Sequence, residues 1–157
     1  MSAGTVTLLA VAVCLVPLAG LCGAMDAALQ RVSPARVEEL RRDGVGRAAR
    51  LEQLLEERAR AVALLLLLRI VCEMVAAVLL AVVLVGVLGA TWQTVLVSAA
   101  VMTVVSYVLI GVGPRTLGRQ HAYPIALASA GVVRLLVRVL GPVATLLILV
   151  GNAITPG

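Results

Sequence analysis

The chain has 157 residues, of which 62% are hydrophobic and 13% charged, and its mean hydropathy is +1.11. A soluble domain of this size cannot bury so much apolar surface. The formal net charge of +5 comes from arginine alone, and the arginines do not form the basic, aromatic-interleaved face that nucleic-acid binding requires. The composition therefore predicts an integral membrane protein with helical spans, with the lipid bilayer and no nucleic acid as its partner.

The first predicted element is a membrane-spanning helix at about residues 5–25. This segment is uncharged and long enough to cross a hydrocarbon core of about 30 Å. A cleaved signal peptide is the alternative, although the positive n-region of such peptides is absent. Lipidation at Cys22 is disfavoured because Leu21 precedes it where a lipoprotein site requires a small residue.

Residues 31–60 predict a solvated helical loop in which arginines alternate with carboxylates. Ser33 and Pro34 have the pattern of a helix start, with serine as N-cap and proline at the first helical position. Gly44 and Gly46 predict a break between two short amphipathic helices. The excess of arginine places this loop on the cytoplasmic side.

Two further spanning helices are predicted at about 61–88 and 94–112. Gly89, Ala90 and Thr91 predict a short uncharged turn between them, and Trp92 stands where an interfacial anchor is expected. The third helix is expected to end at Ile110, before a glycine-rich stretch. The predicted orientation places the N-terminus and residues 89–93 outside, with residues 31–60 and Arg115 inside.

The remainder of the chain, residues 120–154, permits two interpretations. Residues 132–153 are apolar and carry Arg134 and Arg138 four positions apart, with Gly141 and Pro142 in the middle. They predict either a fourth span or a broken pair of helices in the membrane interface, with both arginines reaching the headgroups. Periodicity alone does not decide between these alternatives.

Ionisable residues within the apolar segments are the first candidates for function. Asp26 closes the first helix, and Arg69 and Glu73 share one face of the second at i and i+4. Such residues cost at least about 2.5–3.5 kcal/mol at bilayer depth, so they persist when paired or when they line a polar cavity. The pair predicts an internal salt bridge, a central polar site shared with Asp26, or snorkelling near a helix end.

The glycine-rich stretch at the end of the third helix is the second candidate. Gly111, Gly113 and Pro114, followed by Arg115, can free backbone carbonyls. Irregular backbone at membrane depth is tolerated where it is buried or lines a cavity. Carbonyls beside carboxylates suit a hard cation such as Mg²⁺, for which Asp26 and Glu73 are the candidate ligands. An ordinary helix stop at the interface is the alternative.

Two motifs resemble the transmembrane domain of the CNNM/CorC family of magnesium transporters, whose bacterial members are called hemolysin-like. The family shows Ser-x-x-Glu-x-Ala-Leu followed by Ser-x-x-Arg-(Leu/Val)-Glu-x-Leu. The corresponding residues here are Gly23-Ala24-Met25-Asp26-Ala27-Ala28-Leu29 and Ser33-Pro34-Ala35-Arg36-Val37-Glu38-Glu39-Leu40. The second motif is Gly113-Pro114-Arg115-Thr116-Leu117-Gly118-Arg119-Gln120-His121, which resembles the family's Pro-Lys-Thr-Leu-Ala run.

The resemblance implies that residues 1–157 form one all-α membrane domain. This domain would have three transmembrane helices, amphipathic helices on the cytoplasmic side and a C-terminal juxtamembrane helical belt at 120–154. It favours a juxtamembrane hairpin over a fourth span for 132–153. It also implies a bacterial plasma-membrane homodimer with a cytoplasmic C-terminus. A following pair of CBS domains, through which nucleotide would bind, has no counterpart in these 157 residues.

Three departures from the family pattern bear on the ion site. The family's Ser-x-x-Glu becomes Gly23-x-x-Asp26, and its Asn-Asn-x-x-Asn becomes Arg69 to Glu73. Its Gly-Glu-x-x-Pro becomes Ile110-Gly111-Val112-Gly113-Pro114, which lacks the carboxylate. A fixed guanidinium at position 69 would repel a divalent cation and could itself satisfy Asp26 and Glu73.

Three functions follow as hypotheses. The first is a Mg²⁺ transporter domain that uses Asp26, Glu73 and carbonyls near Gly111 as ligands. The second is a degenerate, non-transporting dimeric scaffold or regulatory protein in which Arg69 replaces the ion; transport of an anion attracted by Arg69 and Arg115 is a weaker third. No nucleophile, base and orienting group are grouped in the sequence, so no enzymatic activity is expected.

Overall fold

A computed structural model describes residues 3–154, and these residues are helical throughout except for short connections. No strand occurs within them, which confirms the predicted all-α fold. The helices in chain order are α1 Ala3–Arg31, α2 Pro34–Arg42, α3 Ala48–Glu56, α4 Arg58–Leu88, α5 Trp92–Val105, the π-helical segment Ser106–Val112, α6 Gly113–Gln120 and α7 Ala122–Ile154. The predicted domain of 1–157 extends at both ends into positions that lie outside the described residues.

Four helical stretches are long and apolar enough to cross a membrane within residues 3–154: Ala3–Arg31, Arg58–Leu88, Trp92–Gln120 and Ala122–Gly151. The first three contain the three predicted spans. The fourth is one more than the resemblance implies, and it covers the segment whose placement the sequence left open.

The chain divides into two compact units, and the first combines Met1–Gly23, as far as it is described, with Leu68–Arg115. Its core is small: Ala19, Cys72 and Ile110 are buried, with Leu15 and Val16 packed against them. Most of its large side chains, such as Val78 and Val104, are exposed. Exposed apolar side chains on long uncharged helices are what a lipid environment accepts.

The second unit comprises Ala24–Leu67 and Thr116–Gly157, the latter as far as it is described. Helix α3 packs against α2 and α7 and buries Leu51 and Leu54. Ser33 occupies the N-cap position of α2, with Pro34 in the first turn, as predicted. The backbone N–H of Ser33 donates to the Tyr123 hydroxyl of α7 at 3.4 Å, which ties the start of α2 to that helix.

Helix α7 runs without a break through Pro142, so the expected hairpin within 132–153 is wrong. A proline disfavours α conformation in the preceding residue partly through contact with its Cβ, and Gly141 has no Cβ. The Thr145 hydroxyl donates to the Gly141 carbonyl at 3.0 Å and adds a bond beside the proline. Proline interruptions of this kind are tolerated in membrane helices.

The third spanning stretch also differs from its prediction, because the helical path does not stop at Ile110. It continues as the π-helical segment Ser106–Val112 and then as α6. The predicted turn before it is present, with Gly89 at a φ of +89°. Thr91 caps α5 by accepting a hydrogen bond from the Thr94 backbone N–H at 3.3 Å.

Candidate ion site

Arg69 and Glu73 form an ion pair on α4, as their spacing predicts. Arg69 Nε lies 3.9 Å from Glu73 Oε2, and the two side chains are only 19% and 21% exposed. Both stand in a helix that is otherwise apolar along this stretch. Because both side chains are largely shielded from solvent, water cannot fully replace either partner of the pair. Loss of one partner would leave the other charge unpaired within an apolar helix.

The Arg69 side chain lies beside the backbone of Gly23 on α1. A Cβ at position 23 would stand 3.8 Å from Arg69 Cδ and 4.0 Å from Arg69 Nη1. The same Cβ would stand 3.4 Å from the carbonyl oxygen of Ile110. Gly23 is thus bordered by a guanidinium and a backbone carbonyl, and its lack of a side chain leaves space between them.

The Ile110 carbonyl belongs to the π-helical segment, and the sequence explains why the backbone is irregular there. Pro114 has no N–H, so it removes the donor that would bond to Ile110 in a continuous α-helix. A Cβ at Gly113 would stand 3.1 Å from the Val108 carbonyl. π-helical turns are rare in proteins, and those that do occur are often found at functional sites.

Pro114 itself packs on α1, at Gly20. A Cβ at Gly20 would stand 2.9 Å from Pro114 Cγ and 3.0 Å from the Leu109 carbonyl oxygen. Position 20 therefore has no room for a larger residue unless the proline moves. This contact fixes the irregular end of the third stretch against α1, and the sequence analysis did not identify Gly20.

Asp26 lies in the second unit and is only 6% exposed. Its Oδ1 accepts a hydrogen bond of 2.7 Å from Gln30 Nε2, one turn later on α1. Sequence reasoning missed Gln30, although its i+4 spacing from a carboxylate in a helix is a recognisable signal. The hydrogen bond gives the buried Asp26 carboxylate a polar partner within its own helix.

The other predicted site residues have different surroundings. Arg115 is exposed and has no ion pair among residues 3–154. Gly111 meets only the Ser106 carbonyl of its own turn, at 3.3 Å from an added Cβ. Within the described residues, no three His, Cys, Asp or Glu side chains are grouped in a way that could hold a metal ion.

Long apolar helices with a partly buried ion pair define an integral membrane protein of the all-helical class. The family described as Cyclin M transmembrane N-terminal domain, or CNNM, matches residues 10–156. The chain therefore belongs to the CNNM family, which the two motifs predicted.

Two curated proteins are also similar in sequence to this chain. The chain is 48% identical over 143 residues to a UPF0053 protein of Mycobacterium bovis and, equally, to a UPF0053 protein of Mycobacterium tuberculosis. The alignment covers 91% of this chain and 33% of each relative. The chain thus spans about a third of the length of the curated relatives it matches.

Proposed function

We propose that the chain is the transmembrane domain of a divalent-cation transporter that moves Mg²⁺. The observation that carries this proposal is the meeting of an irregular helix and a partly buried arginine–glutamate pair near Gly23. The Ile110 carbonyl borders that glycine, and Glu73 is held one turn from Arg69 on α4. Carbonyl and carboxylate oxygens are the ligands that Mg²⁺ prefers, and it keeps several waters besides.

In this proposal Arg69 is a built-in competitor for the ion. Its guanidinium must leave Glu73 before the carboxylate can face Mg²⁺, and the distance of 3.9 Å between Nε and Oε2 indicates a loose pair. Movement of Arg69 would then alternate with entry of the cation. The protein contributes binding and release, with no catalytic chemistry.

A second candidate is the degenerate, non-transporting scaffold, and the position of Arg69 favours it. The guanidinium already lies against Gly23 and neutralises Glu73, so the space that borders Ile110 contains a positive charge. A charge fixed there would exclude Mg²⁺ through direct repulsion at low dielectric. The membrane domain would then serve assembly or regulation.

The proposed setting is a plasma-membrane homodimer with the N-terminus and residues 89–93 outside. Residues 31–60, with their excess of arginine, face the cytoplasm under the positive-inside rule. If α7 lies in the interface, the C-terminus is cytoplasmic; if it crosses, the C-terminus is outside. Protease access to a C-terminal tag in sealed vesicles of known orientation distinguishes these arrangements.

One titration separates the two functions. Purified chain in detergent is titrated with Mg²⁺, and the binding heat and the shift in Tm are measured for the wild type, Asp26→Ala, Glu73→Ala and Arg69→Asn. Arg47→Asn is the matched control, because Arg47 is exposed and has no ion pair among residues 3–154. The transporter proposal expects a sub-millimolar response in the wild type that Asp26→Ala and Glu73→Ala abolish.

The degenerate scaffold expects no response in the wild type and a response gained in Arg69→Asn, where Glu73 is freed. A wild-type response that survives both carboxylate substitutions contradicts the proposed ligands. No response in any variant contradicts both functions at this site. Ca²⁺ and Mn²⁺ titrations on the same samples report whether the site prefers the smaller, more strongly hydrated ion.

A further inference from the structure

A large groove lies within the second unit, and none of its lining residues belongs to the candidate ion site. Its volume is about 1000 Å³, and it is bordered by the region from Arg50 to Arg60 and by one face of α7 from Gly131 to Leu149. These lining positions on α7 recur every three or four residues, so they form a single stripe. The groove is therefore formed by helices of the same unit.

The lining of the groove is rich in positive charge. Four arginines and two glutamates line it: Arg50, Arg60, Arg134, Arg138, Glu56 and Glu57. Arg60 Nη1 is 3.7 Å from Glu57 Oε2, so these two charges largely offset each other. Arg50, Arg134 and Arg138 have no ion pair within residues 3–154. The remaining excess of positive charge is suited to an anion.

The three arginines without carboxylate partners come from two sides of the groove. Arg134 and Arg138 are one turn apart on α7 and point along the same face. Arg50 projects from α3 toward α7, since its Nη1 would be 3.7 Å from a Cβ at Gly131. A phosphate in the groove would therefore meet guanidinium groups from both sides, and guanidinium is the group that contacts phosphate most favourably.

Beyond Arg138, the groove-lining positions of α7 carry no charge. Among them Leu146 and Leu149 are 61% and 64% exposed, whereas Leu135, which is 62% exposed, lies between Arg134 and Arg138. From Arg138 to Leu149 the helix rises roughly 16 Å, which matches half of a hydrocarbon core of about 30 Å. A ligand with an anionic head at the arginines and acyl chains along the leucines would thus fit the charge and the length of the groove.

We propose that this groove is a binding site for an anionic phospholipid. The phosphate contacts Arg134 and Arg138 of α7 and Arg50 of α3, and the acyl chains cover the exposed leucines of α7. Free phosphate would contact only the arginines and would leave the leucines uncovered. The lipid also neutralises two arginines in an otherwise apolar helix, where unpaired charge is costly.

The test measures Tm of the purified chain in dodecyl maltoside while lipid is added. The probes are dioleoylphosphatidylglycerol, dioleoylphosphatidylcholine and inorganic phosphate. We expect phosphatidylglycerol at saturation to raise the Tm of the wild type by about 5 °C. The same amount of phosphatidylcholine or inorganic phosphate should raise it by less than about 1 °C.

Arg134→Gln/Arg138→Gln should bind phosphatidylglycerol roughly thirtyfold more weakly, as judged from the concentration that gives half of the Tm shift. Arg31→Gln/Arg47→Gln removes the same charge from exposed arginines outside the groove and should bind like the wild type. Arg134→Lys/Arg138→Lys retains the charge and should lose no more than about threefold.

Three outcomes would overturn the proposal. Equal responses to phosphatidylglycerol and phosphatidylcholine would remove the role of charge, and an equal response to inorganic phosphate would remove the role of the acyl chains. Equal weakening by Arg31→Gln/Arg47→Gln would locate the effect in the overall net charge. If the double glutamine variant does not fold, Arg138→Gln makes the same comparison, with an expected weakening of roughly fivefold.

Discussion

Two arginine–glutamate pairs in this protein have the same chemistry in different surroundings. Arg41 Nε lies 3.3 Å from Glu52 Oε2 and links α2 to α3, with side chains 51% and 34% exposed. Arg69 and Glu73 are farther apart, at 3.9 Å, and much less exposed. A shorter distance would suggest that the first pair is stronger. The surroundings reverse that order, because water screens the first pair and can replace either partner.

The comparison indicates that the cost of removing one partner depends on where the other is left. Glu52 without Arg41 becomes an ordinary solvated carboxylate. Glu73 without Arg69 becomes an unpaired charge within an apolar helix, which destabilises the fold unless water reaches the carboxylate. The three changes below test this difference.

The largest effect is expected for Arg69→Met. It leaves Glu73 unpaired, and we expect the free energy of unfolding to fall by about 3 kcal/mol. The measurement is thermal unfolding, or unfolding by sodium dodecyl sulfate, of the purified chain in detergent micelles. Arg69→Met/Glu73→Met removes both charges and should recover most of the loss. Equal stability of the single and double variants would contradict the idea that an unpaired Glu73 charge causes the loss.

A middle-sized effect is expected for Gly118→Ala, a change without charge in the same unit as the exposed pair. The added Cβ would stand 2.3 Å from the Ala24 carbonyl oxygen, so α1 and α6 must separate. We expect a loss of about 2 kcal/mol in the same unfolding assay. This result would indicate that packing contributes more than the surface ion pairs to the stability of that unit.

Gly86→Ala is the matched control for this change. Gly86 lies inside α4, and among the described residues, 3–154, no atom outside that helix's own backbone lies within 4 Å of an added Cβ. Alanine should be neutral or should stabilise the helix by up to about 1 kcal/mol. A loss at position 86 equal to that at position 118 would point to a general effect of glycine replacement and not to the contact with Ala24.

The smallest effect is expected for Arg41→Gln. Breaking the exposed pair should reduce the free energy of unfolding by less than about 1 kcal/mol relative to the wild type. This loss should be smaller still in high salt, because salt screens the pair. Unfolding at two ionic strengths checks both parts, with Arg47→Gln as the exposed arginine that has no ion pair among residues 3–154. A salt-independent loss near that of Arg69→Met would remove the distinction between the two pairs.

The parts of the fold that depend on neighbouring residues were predictable. The start of α2 follows from Ser33 and Pro34, the turn before α5 follows from Gly89, and the pairing of Arg69 with Glu73 follows from helical spacing. Each rests on a preference that acts within one or two turns of helix. A sequence displays such preferences directly.

Two of the prolines, Pro114 and Pro142, were harder to interpret, because the effect of a proline on a helix depends on the residues around it. Pro114 and Pro142 both predicted a helix end or break, and in both places the helical path continues. At Pro114 the backbone widens into a π-helical segment and the ring packs on Gly20. At Pro142 the preceding Gly141 reduces the steric conflict. These contacts involve distant residues or small conformational adjustments that sequence periodicity does not report.

The candidate site was predictable in its charges and not in its contacts. The sequence identified Arg69, Glu73 and Asp26 as unusual residues in apolar segments. It did not identify Gln30 as the partner of Asp26, and it did not predict that the Ile110 carbonyl would border Gly23. Side-chain type indicates where a charge must be compensated, whereas the identity of the compensating group depends on the packing of helices.

The π-helical segment also changes the direction in which the residues that follow it face. Its hydrogen bonds span five residues, so it accommodates about one residue more than the same length of α-helix. One residue of an α-helix corresponds to a rotation of roughly 100° about the axis. Faces assigned on Trp92–Val105 therefore do not continue onto Gly113–Gln120. Gly118 faces Ala24 with this rotation in place. Deleting a single residue between Ser106 and Val112 would rotate Gly118 away from Ala24.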